Sequence, residues 1–594
     1  MLKLFRYLRP YWWQVIILLL SITLQVYCTL SLPSLMADII NHGIVPNNTA
    51  EIWRLGGLMI ALALVSALGA LISSYFSARI GAYLSRDLRA AVFTKVLQFN
   101  LSNADDFSTA SLINRTTNDI NQVQQTITMI LSLMLRAPLF CIIALIKAFE
   151  TAPNMTWIIV VAILAILFLV ITIMSLVIPK FKIFQRVIDK ITLLTRENLT
   201  GLRVIRAFNN QKLEQKKFNE ANTELTKLIL FIDKILELQN PMINIIFNGT
   251  TLLCFWVGIS LLPTDSEIIG KIPAFAEYVT HVMISFLMLS ILFVMLPRAN
   301  VSANRINEVL KTKLKIHWPK QTSGDISKTP SVEFNNVDFS YDEAEEKVLS
   351  GISFVANAGE TTAIVGSTGC GKSTLINLIP RFYEPTAGEI LVNGLDIKNY
   401  AKDDLIKRIG FVPQRGILFS GSIKSNIAFG APKATMEDIK EAAEISQSKE
   451  FIEKFPDAYD SHIAQGGTNV SGGQKQRLSI ARAICKKPEV FIFDDSFSAL
   501  DMKTDQKLRQ ALKKVTKNSV VLIVAQRINT IKEAEQIIVL DKGKIVGKGT
   551  HHSLLNDCEI YREIVRSQFS EKEYENELKE ARHAWSSYGR EGEG

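Results

Sequence analysis

The run Gly366-Ser367-Thr368-Gly369-Cys370-Gly371-Lys372-Ser373-Thr374 decides how the second half of this chain folds. It follows a strand-like run, Thr362-Ala363-Ile364-Val365, and precedes a helix-like one, Leu375-Ile376-Asn377-Leu378-Ile379. A strand, a glycine-rich loop closing on Lys-Ser, and then a helix make the phosphate-loop pattern. The glycines let backbone N–H groups close around phosphate oxygens, and the helix N-terminus adds partial positive charge. Lys372 is expected to reach the β and γ phosphates, and Ser373 to coordinate Mg²⁺. Downstream, Val490-Phe491-Ile492-Phe493 reads as a buried strand ending in Asp494, which is placed to hold the metal through water. Between the two lies Val470-Ser471-Gly472-Gly473-Gln474, where two glycines open a helix and offer a second grip on phosphate. The composition from 331 to 570 is that of a soluble α/β domain.

Working outward, the first half has another character. The 594 residues are too many for one core, and 48% of them are hydrophobic. No Lys, Arg, Asp or Glu occurs in 10–37, 55–78, 151–179 or 238–264. The run 120–146 is broken only by Arg136, and 278–297 holds only His281. A helix needs ~20 apolar residues to cross the hydrocarbon core, and core helices of soluble proteins rarely run this long without charge. Six spans are expected, near 12–36, 55–78, 126–149, 155–178, 240–262 and 273–297, within a helical membrane domain over 1–310. Residues 311–330 are polar and turn-rich and read as a linker, and 571–594 as a charged C-terminal tail.

Basic residues give the orientation. The loops at 38–52 and 149–156 carry no Lys or Arg, and the loop after the fifth span carries only Lys271. Arg6, Arg9, Arg79, Arg86, Arg89, Lys180 and Arg186 lie on the other side, so both termini are expected in the cytoplasm. No cleavable signal peptide is evident, and residues 1–7 suit an interfacial lead-in helix. The net charge of +9 reads as inner-leaflet contact and phosphate binding, not nucleic-acid binding. Cys28, Cys141, Cys254, Cys370, Cys485 and Cys558 lack metal or disulfide spacing and read as small buried residues.

The gaps between spans two and three and between spans four and five are helical in pattern: Leu88, Val92 and Val96 recur every four residues, as do Phe184, Ile188 and, at a similar period, Ile191 and Leu194. Spanning helices that continue past the membrane are therefore expected, with turns near 100–107 and 204–211.

Taken together, these motifs resemble the ABC exporter family (type IV), as a half-transporter and over nearly the whole chain. Ser471-Gly472-Gly473-Gln474 is similar to its signature sequence. Tyr341 fits the aromatic that stacks on adenine. Gln414, in Val412-Pro413-Gln414, fits the loop glutamine that touches Mg²⁺, and Ser498-Ala499-Leu500-Asp501 fits the loop that crosses the dimer interface. The tip 197–208 is similar to the family's second coupling loop, and Asp106-Phe107 with 114–119 echoes the first. The resemblance implies an ATP-driven pump with ATP and Mg²⁺ as its ligands. Two ATP domains would pair head to tail, each ATP lying between one phosphate loop and the other domain's signature.

Two positions depart from the family pattern. Asp495 stands where the catalytic glutamate is expected, and Gln526 where the switch histidine is expected. Aspartate is one methylene shorter, about 1.5 Å, and a misplacement of about 1 Å can cost on the order of 10²-fold in rate. Gln526 can donate a hydrogen bond but cannot become cationic. The expectation is an ATP site poor at hydrolysis, in a heterodimer whose partner half supplies Glu and His. The intact signature here would complete the partner's site. An ordinary active homodimer is the opposing reading.

In the membrane half, Arg136 is costly inside a span and is expected to face substrate, a counter-charge or a helix-packing partner. Glu277 and His281 share a helix face near where Asp38 emerges, and are read either as a polar outer gate or as an interfacial patch. Phe140, Phe247 and Phe286 are expected to line an apolar cavity. The resemblance implies multidrug-type export of amphipathic compounds across a bacterial cell membrane. Lipid or peptide export, or an ATP-gated channel or regulatory subunit, are the alternatives. No N-terminal peptidase domain is present, which counts against leader-peptide processing.

Overall fold

A computed structural model describes residues 2–262, 267–341 and 346–588. The chain divides into two compact units. One comprises Met1–Gln98 with Phe107–Thr312, the other Phe99–Asp106 with Lys313–Gly594.

The first unit is helical. Its long elements are α1 (Trp12–Asp38), α2 (Thr49–Leu97), α4 (Thr109–Thr151), α5 (Trp157–Thr200), α7 (Gln211–Ser260) and α8 (Ile268–Lys311). Two short segments lie between them, α3 (Leu101–Asp105) and α6 (Leu202–Ala207). Six helices are long and apolar enough to cross a membrane among the described residues. The 49 residues of α2 extend about 70 Å at the standard rise, against ~30 Å of hydrocarbon. Trp53, Phe168 and Trp256 are 82%, 74% and 77% exposed on this unit, as lipid-facing side chains can be at low cost.

Inside the unit, helices approach through small residues, as membrane helices do in the absence of a hydrophobic drive between them. Ser77 on α2 donates to the carbonyl of Thr128 on α4 (2.9 Å), and a Cβ at Gly81 would lie 2.2 Å from Thr128 Oγ1. Two π-helical stretches interrupt α4, at Arg115–Asp119 and Ile130–Met134. The first sits beside a polar knot with the end of α8: Ser302 donates to the buried Asp119 (2.7 Å), and Arg115 pairs with Glu308 (2.8 Å).

The second unit is built on two main sheets, with a small antiparallel pair of Gly421–Ser422 and His462–Ile463 beside them. The strands of the main sheets are β1 (Ser331–Phe339), β2 (Leu349–Asn357), β3 (Thr361–Gly366), β4 (Ala387–Val392), β5 (Leu395–Asp396), β6 (Ile409–Val412), β7 (Val490–Asp494), β8 (Val520–Val524), β9 (Gln536–Asp541) and β10 (Lys544–Gly549). The smaller sheet has order β2-β1-β4-β5 and the larger one β10-β9-β3-β8-β7-β6. In the larger sheet β9, β3, β8, β7 and β6 are parallel, and β7 and β8 are buried at every position. That is why both read as unbroken apolar runs. Short helices Ile423–Ile427, Met436–Ile445 and Lys449–Ile452 precede the helix Gly472–Cys485.

Three segments differ from the expected layout. Residues 99–106, expected as a turn of the membrane half, belong to the second unit. There the fully buried Asn103 donates to Lys313 O (3.1 Å) and accepts from Lys315 N (3.2 Å). The expected linker is bonded along its length: the Arg381 guanidinium lies 4.6 Å from the Trp318 ring centroid, and Ser327 N donates to Asn393 O (2.8 Å). The expected tail is a helix, Glu571–Tyr588, packed into the domain through the buried Ala581, and residues 589–594 lie outside the described residues. Its charges misled because the apolar positions are few, and Glu577 serves an internal contact with His551 (3.2 Å).

Candidate functional site

Strand register brings the site together. Val524 on β8 pairs with Ile364 on β3 and with Asp494 on β7, so the C-terminal ends of these strands are level. The ladder runs one step further, with Asp495 N donating to Val524 O (2.9 Å) and Ala525 N to Ile364 O (3.3 Å). The phosphate loop, Asp494-Asp495 and Ala525-Gln526 therefore leave the sheet from one edge, the edge at which parallel α/β sheets take their ligands.

The loop itself needs its glycines at two positions. Gly369 and Gly371 have φ of +84° and +101°, and a Cβ at Gly371 would lie 2.8 Å from Leu349 Cδ2. Ser367, Thr368 and Gly369 are exposed, whereas Cys370 and Thr374 turn inward. Lys372 Nζ donates to the carbonyls of Gly366 (2.8 Å) and Ser367 (2.7 Å), with Cys370 Sγ at 3.7 Å. Carbonyl dipoles hold the ammonium without neutralising it, so its charge remains available to an anion. Lys372 starts the helix Lys372–Leu378. At the mouth, Tyr341 hydrogen-bonds with Thr374 (3.0 Å) and stands edge-on to Phe339 and Tyr383, at centroid distances of 4.9 and 5.4 Å. Tyr341 is 38% exposed and can offer a ring face to a planar base.

Ser373 Oγ donates to Asp494 Oδ1 (3.1 Å), and Asp494 is 7% exposed. Burial pushes its carboxyl above the usual range; Asp495 adds to this, while the Ser373 hydrogen bond and Lys372 oppose it. A buried carboxylate so placed gains from a nearby cation. With the Ser373 hydroxyl it offers oxygens that could hold Mg²⁺. Gln414 Nε2 lies 3.5 Å from Asp495 Oδ2. Asp495 has a φ of +45°, in the left-handed region that aspartate tolerates better than longer side chains. Gln526 is exposed, and its main-chain carbonyl accepts from Gln568 Nε2 (2.7 Å).

Ser471 caps the helix Gly472–Cys485 reciprocally with Gln474: Ser471 N donates to Gln474 Oε1 (2.9 Å) and Gln474 N to Ser471 Oγ (3.3 Å). Gly472 lies open, and a Cβ at Gly473 would lie 3.2 Å from Ala499 O. Among the described residues, no hydrogen bond joins Ser471, Gly472, Gly473 or Gln474 to Lys372, Ser373 or Asp494. Ser471 and Gly472 at this N-terminus are exposed. Asp501 caps the helix Met502–Val515 by accepting from Thr504 N (2.9 Å), a bond that holds its carboxyl below the usual range.

The membrane residues are only partly brought together. Glu277 and His281 face each other at 3.6 Å and line one pocket with Thr29, Pro33 and Met59, and His281 stacks on Phe140 at 5.4 Å. Asp38 does not join them. Its neighbour is His42 on the same helical run, at 4.0 Å, so the expected grouping of three reduces to a pair. Arg136 reaches the hydroxyl of Ser73 on α2 (3.4 Å), while its Nε has no protein partner; no carboxylate pairs with it among the described residues. Sequence reasoning gives Asn103 only as a turn residue and misses Tyr383 and Gln568, because the partners of all three lie far away along the chain.

A helical membrane unit joined to a nucleotide domain of this design defines an ATPase-coupled membrane transporter. Residues 15–287 match the family described as ABC transporter transmembrane region, and 349–498 the family described as ABC transporter. The chain belongs to the ABC transporter family. It is similar to an uncharacterized ABC transporter ATP-binding protein of Mycobacterium tuberculosis, 36% identical over 572 residues, covering 95% of this chain and 97% of that one. It is also similar to YfiB of Bacillus subtilis, 35% identical over 571 residues, covering 96% and 99%. Among solved structures, a bacterial Atm1-family ABC exporter with ATP bound shares its fold, with a TM-score of 0.77, 23% identity, and coverage of 95% of this chain and 99% of that one.

Proposed function

We propose that this chain is one half of a heterodimeric exporter and carries the weaker of two ATP sites. Lys372 and the N–H groups of 366–374 hold the β and γ phosphates, Tyr341 meets the adenine, and Ser373, Gln414 and Asp494 hold Mg²⁺. The metal neutralises charge developing on the phosphates. Asp495 is the base that would orient water, and Gln526 the hydrogen-bond donor to the terminal phosphate.

The observation that carries this reading is Asp495. Its carboxylate is one methylene shorter than glutamate, and its backbone is already committed by the β8 hydrogen bond and by a left-handed φ of +45°. The side chain cannot be advanced by shifting a soft backbone. Gln526, being neutral at every pH, does not compensate. Bound ATP is thus retained for long periods here. The outward-facing Ser471, Gly472, Gly473 and Gln474, with Asp501, serve the phosphate loop of the partner half, which supplies the missing Glu and His.

The membrane unit exports amphipathic compounds from a bacterial cell, with both termini cytoplasmic. Support comes from the apolar pocket rimmed by Glu277 and His281, from Phe140, and from the placement of basic residues. The deciding measurement is ATPase activity of the purified chain without any second half. Turnover below about one-hundredth of that of the co-expressed pair is expected, from the misplacement argument. Fast turnover of the isolated chain would refute the reading.

A further inference from the structure

The one-turn helix α9 (Ile528–Ile531) begins two residues after Gln526, and it starts without a cap of its own. Arg527 holds the N-cap position with no side-chain acceptor, so the first amides of the helix need a partner from elsewhere. That partner is Gln568, the last residue of the helix Glu559–Gln568. Its Oε1 accepts from Ile528 N (2.9 Å) and its Nε2 donates to Gln526 O (2.7 Å). One carboxamide thus closes both sides of Arg527, which no shorter or singly functional side chain can do.

The helix that presents Gln568 is firmly seated. Tyr561 and Val565 are fully buried. Tyr561 Oη bonds His551 Nδ1 (2.7 Å), and His551 Nε2 meets Glu577 (3.2 Å). Glu577 also lies 3.5 Å from Lys532, immediately after α9. The C-terminal helices therefore grip α9 at its start and at its end. Arg527 in turn reaches Leu500 O (3.4 Å), next to Asp501.

We propose that Gln568 is a positioning residue for the loop that presents Gln526, so that the C-terminal helices set how tightly this chain holds the terminal phosphate of ATP. The proposal rests on the reading of Gln526 as the residue facing that phosphate. Without both hydrogen bonds, the 525–528 main chain would relax toward solvent and Gln526 would lose its aim.

The test uses the full chain in lipid nanodiscs, with a fluorescent ATP analogue as probe. Gln568→Leu removes both bonds. Gln568→Glu keeps the acceptor for Ile528 N but sets a carboxylate against the carbonyl of Gln526. Hydrogen exchange at the Ile528 amide is expected to quicken about five- to tenfold in the Leu variant, the factor that one lost hydrogen bond gives. Release of the analogue should quicken by a similar factor. The Glu variant should also release it faster at pH 7.5. Unchanged exchange in the Leu variant would overturn the proposal, because no clamp would then exist. Faster exchange with unchanged release would overturn it too, since the clamp would not reach the nucleotide. Rapid ATP turnover by the isolated chain would count against the weak-site reading alone, because neither exchange nor release depends on cleavage.

Discussion

The phenol of Tyr383 donates a 2.8 Å hydrogen bond to the carboxylate of Asp105, across 278 positions of sequence. Tyr383 is 7% exposed, and burial first, then Asp105, pushes its phenol well above the usual range. Asp105 lies in the segment that links α2 to α4 along the chain, yet it is held within the nucleotide unit. The same tyrosine stands edge-on to Tyr341 at the mouth of the site. A short path of contacts therefore leads from the expected adenine position to the connection between two membrane-spanning helices.

Replacing Tyr383 by Phe keeps the aromatic contacts and removes that hydrogen bond. Asp105 is exposed and returns to water, so the stability cost is expected to be about 1 kcal/mol. In the assembled transporter, ATP turnover should persist while substrate moved per ATP falls. Measuring both rates on one preparation checks this, and a proportional fall in both would contradict it.

Asn103→Ala should be costlier. Asn103 is fully buried and bridges Lys313 O and Lys315 N. Removing it strands two main-chain groups, at a cost of about 2 kcal/mol. Hydrogen exchange should quicken at Lys315, while exchange at Ile528, remote from this contact in sequence, should stay unchanged.

Lys372→Ala deletes the ammonium held between Gly366 and Ser367. A charge-assisted contact to phosphate is worth roughly 1.5–3 kcal/mol, so ATP affinity should fall about 10- to 100-fold. Titration calorimetry reads this directly. The melting temperature without nucleotide should fall only slightly, since Ser367 to Gly369 are exposed and the released carbonyls turn to water.

Asp495→Glu tests the weak site from the other side. A longer side chain at a φ of +45° should cost up to about 1 kcal/mol of stability. Turnover of the paired transporter should change only modestly. Replacing the catalytic glutamate expected on the partner half should abolish turnover. Equal losses at both sites would argue for a symmetric pump.

The His551 imidazole is buried between Tyr561 and Glu577, with Lys532 and His552 nearby. Burial holds its pKa below the ordinary 6.5, although Glu577 pulls it up. The unfolded chain therefore takes up the proton first. This histidine costs no stability above about pH 6.5, and stability falls as the pH drops below that value toward its folded pKa. Thermal melts at pH 7.5, 6.5 and 5.5 should show a declining midpoint. His551→Gln should flatten that decline, whatever its effect on the midpoint at pH 7.5.

Local chemistry was legible in the sequence. The charge-free runs announced six helices because a bilayer demands continuous apolar length. The loop 366–374 announced its strand and helix because close approach of backbone to phosphate demands glycine at set positions. The residues at 494–495 and 526 could be named as a site, although only strand register put Val524 level with both Asp494 and Ile364. Asp38 was misplaced because emergence on one side of a membrane says nothing about which neighbour a side chain meets. The helix Glu571–Tyr588 was read as a tail because its charges hid the positions that pack.

Spacing and periodicity along the chain thus suffice for whatever depends on neighbours within a turn or a strand: the spans, the phosphate loop, the helix that opens at Gly472-Gly473. Pairings such as Tyr383 with Asp105 and Gln568 with the loop at 526–528 came only from folding. A side-chain hydrogen bond forms over about 3 Å and carries no trace in sequence distance, so nothing but three-dimensional packing could choose those partners.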